Sequence, residues 1–117
     1  VHRDLDLAIR GESEHAIAEI AERRDYKDIL GLTYRRDGAL HRNPNRPYIE
    51  VDDLDSLPFP ARHLINNSLY TTQDTDEPIT MINMGRGCPH QCIYCAVTVA
   101  SGYKLKVRSP KSVVDEI

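Results

Sequence analysis

The three cysteines of this 117-residue chain are its most chemically informative residues, because all of them fall in the stretch GRGCPHQCIYC, residues 85–95. Cys88, Cys92 and Cys95 follow the spacing C-x3-C-x2-C. Three is an odd number, so disulfides cannot use them all, and nothing in the sequence marks the chain as secreted. Spacings this short place three sulfur atoms around one point if the backbone forms a loop, which indicates a metal centre.

Two kinds of metal centre suit closely spaced thiolates. A zinc ion could take the three cysteines together with His90 in a Cys3His set. His90 lies between Cys88 and Cys92, however, on a segment too short to fold back comfortably into the same tetrahedron. An iron–sulfur cluster is the other occupant; clusters usually take four thiolates, so three would leave one iron open to another molecule. Idle thiols are a third interpretation, which we disfavour because three cysteines seldom fall this close together by chance.

The residues at the start of the chain have the pattern of a strand followed by a helix. Residues 4–10 alternate apolar and polar side chains, which predicts a strand, and residues 12–24 have an apolar stripe at helical spacing. Gly11 and Glu12 lie between them. A strand, a turn and a helix make half of a βαβ unit, and in such sheets ligands bind at the carboxyl ends of the strands. We therefore expect Gly11 and Glu12 near a ligand.

The middle of the chain predicts a hairpin and then a proline-rich connection. Residues 31–43 contain two short runs around Asp37-Gly38, a dipeptide favoured in type I′ turns. Four prolines follow between residues 44 and 60, which excludes a central strand or a helix interior there. We interpret this part as an extended, semi-rigid segment, with Phe59 as an anchor between two prolines.

The last part of the chain predicts a strand, the cysteine loop, a second strand and a helix. The apolar run in residues 77–88 indicates a buried strand, and Ser109-Pro110 has the pattern of a helix start. In YKLKVR, residues 103–108, the alternation predicts that the apolar side chains point inward and the basic ones outward. Residues 81–117 carry five basic and two acidic side chains, against ten and sixteen in residues 1–80. We interpret the basic residues of 103–108 as a solvated strand face, not as a nucleic-acid site.

The cysteine loop resembles the signature of the radical S-adenosylmethionine (radical SAM) superfamily, in which an aromatic residue precedes the third cysteine of C-x3-C-x2-C. The resemblance implies that the three thiolates hold a [4Fe–4S] cluster, whose unique iron binds S-adenosylmethionine. Electron transfer then cleaves the sulfonium to a 5′-deoxyadenosyl radical. Tyr94 matches the aromatic residue that lies near the adenine, and Arg86-Gly87 matches the usual R-G-C-P lead-in.

The segments on either side resemble the class that fuses a cobalamin-binding domain to the radical SAM barrel. DLDLAIRGESEHAI is similar to its D-x-V-x-x-G-E-G-E strand and helix, with Ser13 in place of the commoner glycine. The implied fold class is α/β. Residues 1–30 would be the C-terminal strand and helix of a doubly wound (Rossmann-like) cobalamin-binding domain, 31–76 an interdomain connector, and 77–117 the first βα unit of a partial (βα) barrel. Gly11 and Glu12 would then help to bind the cobalamin.

The resemblance implies an internal fragment of a cobalamin-dependent radical SAM enzyme, inactive alone, that starts methyl transfer, cyclisation or rearrangement. Its cofactors would be the cluster, S-adenosylmethionine and cobalamin. We expect a cytoplasmic protein with a small-molecule substrate and an electron donor such as flavodoxin or ferredoxin, and neither a membrane nor a nucleic-acid partner. The pattern assigns no catalytic side chain.

Two alternatives use the same cysteines. Radical SAM methylthiotransferases share the loop but carry further cysteines in the preceding domain, and residues 1–87 contain none. A zinc-binding interaction module would use the cysteines and His90, and metal analysis separates it from the iron–sulfur interpretation.

Overall fold

The computed structural model describes residues 4–117, without the side chain of residue 52. Its first part is a three-stranded antiparallel sheet in the order β1-β2-β3, formed by β1 (Leu7–Ile9), β2 (Leu32–Arg36) and β3 (Ala39–Arg42). Arg36 pairs with Ala39, so Asp37 and Gly38 form a two-residue turn, and both have positive φ values, 53° and 76°. A type I′ turn requires this conformation. The predicted hairpin is confirmed.

The predicted helix follows β1 and covers the sheet. Helix α1 (Glu14–Ala21) places Ala16 in a small core, and Ile29, Leu32 and Tyr34 complete this core. The partner of β1 among the described residues is β2, and it runs antiparallel. The structure is thus a mixed α/β fold, and the doubly wound parallel sheet remains a prediction.

The segment between the hairpin and residue 80 contains only short elements, but it is not extended throughout as predicted, because a four-residue helix forms between Pro47 and Pro58. It holds helix α2 (Val51–Leu54), the 3-10 turns Arg62–Leu64 and Asn67–Leu69, and an isolated antiparallel bridge between Thr71 and Pro78. Phe59 is half-exposed, and its ring lies under the guanidinium of Arg108, 5.5 Å from the ring centroid.

The last part consists of β4 (Gly85–Arg86), α3 (Val97–Ser101), β5 (Lys106–Val107) and α4 (Pro110–Glu116), and β4 pairs antiparallel with β5. Helix α4 begins as predicted: the Ser109 side chain accepts a hydrogen bond from the Ser112 N–H (3.1 Å), and Pro110 occupies the first turn. The longest helix of the described chain, α1, has eight residues. A membrane-spanning helix needs roughly 20, and no described helix could cross a membrane.

The prediction of a buried strand over residues 77–88 is wrong for most of that range. Only Gly85–Arg86 is strand, and Ile79, Met81 and Met84 are exposed. A strand forms by pairing, and none of the strand pairs of the described chain includes residues 79–84. Apolar character alone therefore does not order or bury this segment.

The predicted facing of YKLKVR is also wrong. Lys106 is buried, with 2% of its surface exposed, whereas Tyr103, Leu105 and Val107 are more than half exposed. The cause is a long-range partner: the Lys106 ammonium lies 3.2 Å from the Glu12 carboxylate. A buried charge needs such a partner, and this pairing overrides the local alternation.

Candidate functional site

The cysteines lie on a loop whose two ends are held together. Gly85 pairs with Val107 and Arg86 with Lys106 in the short β4–β5 ladder. Beyond the ladder, the Cys88 N–H donates a hydrogen bond to the Gly102 carbonyl at 3.2 Å. The stretch between Gly87 and Gly102, here called the cysteine loop, therefore leaves and returns at one place.

The closure of the cysteine loop depends on two glycines. Gly87 and Gly102 both have φ near +80°, a conformation that residues with a side chain rarely adopt. A Cβ on Gly87 would lie 2.2 Å from the Lys104 carbonyl oxygen, and one on Gly102 would lie 2.9 Å from the Tyr48 ring. The missing side chain at Gly87 lets the two ends of the loop approach each other, and the missing side chain at Gly102 leaves room for the Tyr48 ring beside the loop.

All three cysteines are free thiols in the described structure. Cys88 and Cys95 are half-buried and Cys92 is exposed, and the Cys95 N–H donates to the Cys92 carbonyl at 3.0 Å. Among the side chains that the structure describes, no three from cysteine, histidine or carboxylate residues lie close enough together to hold a metal ion. The fold thus brings the three thiols onto one closed loop, but not into one coordination sphere. Three thiols on one short loop fit the donor chemistry of an iron–sulfur cluster.

The aromatic residue of the motif points away from the core. Tyr94 is 88% exposed, and the neighbouring Ile93 is fully exposed. An ordinary core role for Tyr94 therefore finds no support in the described chain. Its ring face is open to another molecule.

Glu12 lies under the cysteine loop and not at an open edge. Its carboxylate is buried and accepts a hydrogen bond from the Ile49 N–H (2.6 Å) as well as from the Lys106 ammonium (3.2 Å). Arg86 approaches the same carboxylate at 3.8 Å. The Lys106 ammonium also lies 5.5 Å from the centroid of the Tyr48 ring. One carboxylate thus joins the start of α1 to both strands at the base of the loop.

Glu14 adds a second ion pair at this base. Its carboxylate contacts the guanidinium of Arg86, two residues before the first cysteine. Burial raises the pKa of Glu14, but the hydrogen bond and charge of Arg86 together with hydrogen bonds from the backbone outweigh burial, so the pKa lies below its ordinary value of 4.5. The hydrogen bond to Glu14 in turn raises the pKa of Arg86. Both groups are therefore charged at neutral pH, and they fix the strand that leads into the loop.

Gly11 lies on the wall of a cavity of about 590 Å³ between the end of β1, the connector and α3. Its φ is +78°, and a Cβ there would lie 3.8 Å from the Ala100 carbonyl oxygen. Gly11 and Glu12 are therefore both brought beside the segments that flank the cysteines. Their contact with cobalamin remains a prediction.

A separate ion network joins the connector to α4. The Glu116 side chain is almost fully buried and accepts hydrogen bonds from Arg62 (2.6 Å) and from Arg108. These two hydrogen bonds, the one from Arg108 foremost, hold the pKa of Glu116 below its ordinary value of 4.5. The Asp55 carboxylate accepts from the Ser109 N–H at 3.0 Å. The connector is thus attached to the helix that follows the loop.

The sequence-based interpretation missed three features of the site. These are the burial of Lys106, the contact of its ammonium with the Tyr48 ring, and the ion pairs of Arg86. Each depends on a partner far along the chain; Lys106 and Glu12 are 94 positions apart. The one local signal is that Lys106 lies between apolar residues, which a solvated strand explains equally well.

The chain shares its fold with part of a solved radical SAM methyltransferase. This structure is TsrM from Kitasatospora setae with cobalamin and a [4Fe–4S] cluster bound, and it matches with a TM-score of 0.57 at 22% identity. The match covers 95% of this chain and 23% of TsrM. A second TsrM structure, with tryptophan substrate and a SAM analogue bound, matches with a TM-score of 0.51. No protein-family model matches the chain.

The chain is also similar over most of its length to methyltransferases and a cyclase, in agreement with the radical SAM resemblance that its motifs imply. Among curated proteins, it is 29% identical to an uncharacterized methyltransferase of Pyrococcus horikoshii, over 97% of this chain and 25% of that protein. It is 29% identical to cytidylyl-2-hydroxyethylphosphonate methyltransferase of Streptomyces wedmorensis, over 97% and 27%. It is 30% identical to anaerobic magnesium-protoporphyrin IX monomethyl ester cyclase of Cereibacter sphaeroides, over 97% and 19%. The chain spans between 19% and 27% of the length of these relatives.

Proposed function

We propose that this chain is the part of a cobalamin-dependent radical SAM enzyme that holds the [4Fe–4S] cluster. The observation that carries the proposal is the closed cysteine loop, which presents three free thiols within eight positions. Cys88, Cys92 and Cys95 would be the cluster ligands, drawn together when the cluster binds. When bound, the cluster supplies the electron that cleaves S-adenosylmethionine and so starts radical chemistry.

The other residues of the site would bind the cofactors or position the segments around them. Tyr94 would offer its exposed ring to the adenine of S-adenosylmethionine. Gly11 would let the backbone approach cobalamin closely, and Glu12 would position the segments beneath the loop through Lys106 and Ile49. In this proposal, residues 1–30 are the C-terminal strand and helix of a doubly wound cobalamin-binding domain. Residues 31–76 are the interdomain connector, and residues 77–117 are the first βα unit of a partial (βα) barrel.

The names of the relatives indicate a broad class of reaction. Two of them are named methyltransferases and one a cyclase, so methyl transfer or cyclisation of a small-molecule substrate is the proposed outcome. An electron donor such as flavodoxin or ferredoxin would reduce the cluster. The exposed Cys92 and Tyr94 leave one side of the loop open for such molecules.

Metal analysis after anaerobic reconstitution tests the proposal. We expect about four irons and four sulfides per chain, because a single [4Fe–4S] cluster binds, and Cys92→Ala should abolish this uptake by removing one of three thiolates. His90→Ala is the matched control and should keep the iron. One tightly bound zinc without iron, lost on His90→Ala, would show a zinc module instead.

A further inference from the structure

Three arginines surround the cavity that Gly11 lines. Arg10 follows β1, Arg42 ends β3, and Arg46 lies in the connector; together with Asn45 they supply the polar part of the wall. No carboxylate lines this cavity in the described chain. Residues 1–80 hold sixteen acidic and ten basic side chains, so a purely basic wall is not a by-product of a basic sequence.

The sheet register holds two of these charges close together. Thr33 pairs with Arg42 across the β2–β3 ladder and with Ala8 across β1–β2, so these side chains share a face. The Arg10 guanidinium crosses Thr33 and donates to its hydroxyl, to the Asn43 carbonyl and to the Asn45 side chain at 3.1 Å. Burial lowers the pKa of Arg10, and the charge of Arg42 lowers it further.

The charges of Arg10 and Arg42 lack a counter-ion in the described chain. All the hydrogen-bond acceptors of Arg10 are neutral, and no described carboxylate pairs with Arg42. Arg46 differs, because its guanidinium contacts Glu19. Two like charges held side by side without an anion destabilise each other, and an anion placed between them would relieve this repulsion.

We infer that this cavity, here called the arginine pocket, binds the phosphate or carboxylate group of an organic anion through Arg10 and Arg42. The planar guanidinium fork matches both groups. The rest of the lining is largely apolar and includes Ile9, Val99, two alanines and the Tyr48 ring, so an organic body can pack beside the anion. A volume of about 590 Å³ falls within the range for small-molecule sites.

The inference does not depend on cluster binding, since no cysteine lines the arginine pocket; Gly11, which the proposed function places beside cobalamin, lies on its wall. The test is titration of the chain with phenyl phosphate, benzoate and benzyl alcohol at constant ionic strength, followed by NMR shifts of the amides around the cavity. We expect saturable binding of at least one anion and none of the neutral alcohol. Binding of phenyl phosphate alone assigns a phosphate ligand, and binding of benzoate alone assigns a carboxylate.

Arg42→Gln should weaken the binding about tenfold or more, because it removes one charged hydrogen-bond donor. Arg42 is exposed at a strand end, so the variant should remain folded. Arg35→Gln makes the same charge change on β2 outside the cavity and should leave the affinity unchanged. Equal losses in the two variants, an unchanged affinity in Arg42→Gln, equal binding of benzyl alcohol, or no saturable binding of either anion would each overturn the inference.

Discussion

The Glu12 carboxylate and the Lys106 ammonium form a buried ion pair at 3.2 Å across 94 positions of sequence. Their side chains are 4% and 3% exposed. Glu12 belongs to the turn before α1, and Lys106 belongs to the strand that closes the cysteine loop. The pair therefore connects the first strand–helix unit directly to the base of the proposed cluster site.

Breaking this pair from one side should destabilise the fold strongly. In Lys106→Met the buried Glu12 carboxylate loses its ammonium, and removing one partner of a buried pair typically costs about 3–5 kcal/mol. We expect a loss of that size in the free energy of unfolding, measured by urea denaturation. Lys104→Met is the matched control, because Lys104 contacts Glu50 in an exposed pair, and it should cost less than about 1 kcal/mol.

The double variant Glu12→Gln with Lys106→Met tests the same pair further. It leaves no unpaired buried charge, so it should be more stable than Lys106→Met alone. Equal stability of Lys106→Met and Lys104→Met would contradict the importance of the pair.

Local sequence signals predict the local elements of this chain well. Asp37-Gly38 predicts the hairpin because only its own backbone conformation is needed, and Ser109-Pro110 predicts the start of α4 for the same reason. The cysteine spacing likewise predicts that three thiols share one loop. Lys106 could not be placed from sequence, because its environment is set by Glu12 and Tyr48, which approach only after the chain folds. The strand expected over residues 77–88 does not form over most of that range, because apolar residues form a strand only where another strand pairs with them.

Gly87→Ala should open the base of the cysteine loop. The new Cβ would lie 2.2 Å from the Lys104 carbonyl, so the backbone would have to shift, and φ = +80° would be strained as well. Gly38→Ala is the control that measures the cost of the positive φ alone, because Gly38 has φ = +76° with nothing within 4 Å of its Cβ position. We expect a cost of about 1–2 kcal/mol for Gly38→Ala and a larger one for Gly87→Ala.

Urea denaturation gives this comparison, and iron content after reconstitution gives the functional counterpart. Gly87→Ala should lower the iron content, whereas Gly38→Ala should retain it. Identical costs in the two variants would show that the contact between Gly87 and Lys104 does not constrain the loop.

The Glu116 network should stabilise the fold in a pH-dependent manner. Hydrogen bonds from Arg108 and then Arg62 lower the pKa of Glu116 below 4.5, so folding favours the ionised carboxylate. The resulting stability is fully present above about pH 5.5, one unit above the ordinary value, and is lost as the pH falls through the lowered pKa. Glu116→Gln should therefore be less stable than the parent at pH 7, and the difference should shrink toward pH 3.

The matched control for this network is Asp115→Asn. Asp115 pairs with Lys111 in an exposed i, i+4 contact, which contributes little to stability. Urea midpoints measured at pH 7 and pH 3 for the parent and both variants give the comparison. A difference between the parent and Glu116→Gln that is the same at both pH values would contradict the argument.

Tyr94 should affect S-adenosylmethionine binding without affecting cluster assembly. It is adjacent to Cys95, and its ring is exposed, so a purine can stack on its face. Stacking of a base on an aromatic ring contributes roughly 1–3 kcal/mol in nucleic-acid complexes. Tyr94→Ala should therefore weaken S-adenosylmethionine binding by about ten- to a hundredfold, since each 1.4 kcal/mol is about tenfold. The iron content should not change, because no thiolate is removed.

Two control variants accompany this test. Tyr94→Phe keeps the ring and should bind S-adenosylmethionine normally. Tyr70→Ala removes an exposed ring from the connector and should have no effect. Equilibrium binding of S-adenosylmethionine to the reconstituted protein, measured beside iron content, separates the outcomes. Loss of iron in Tyr94→Ala would assign the ring to loop structure, and normal binding would remove it from the cosubstrate site.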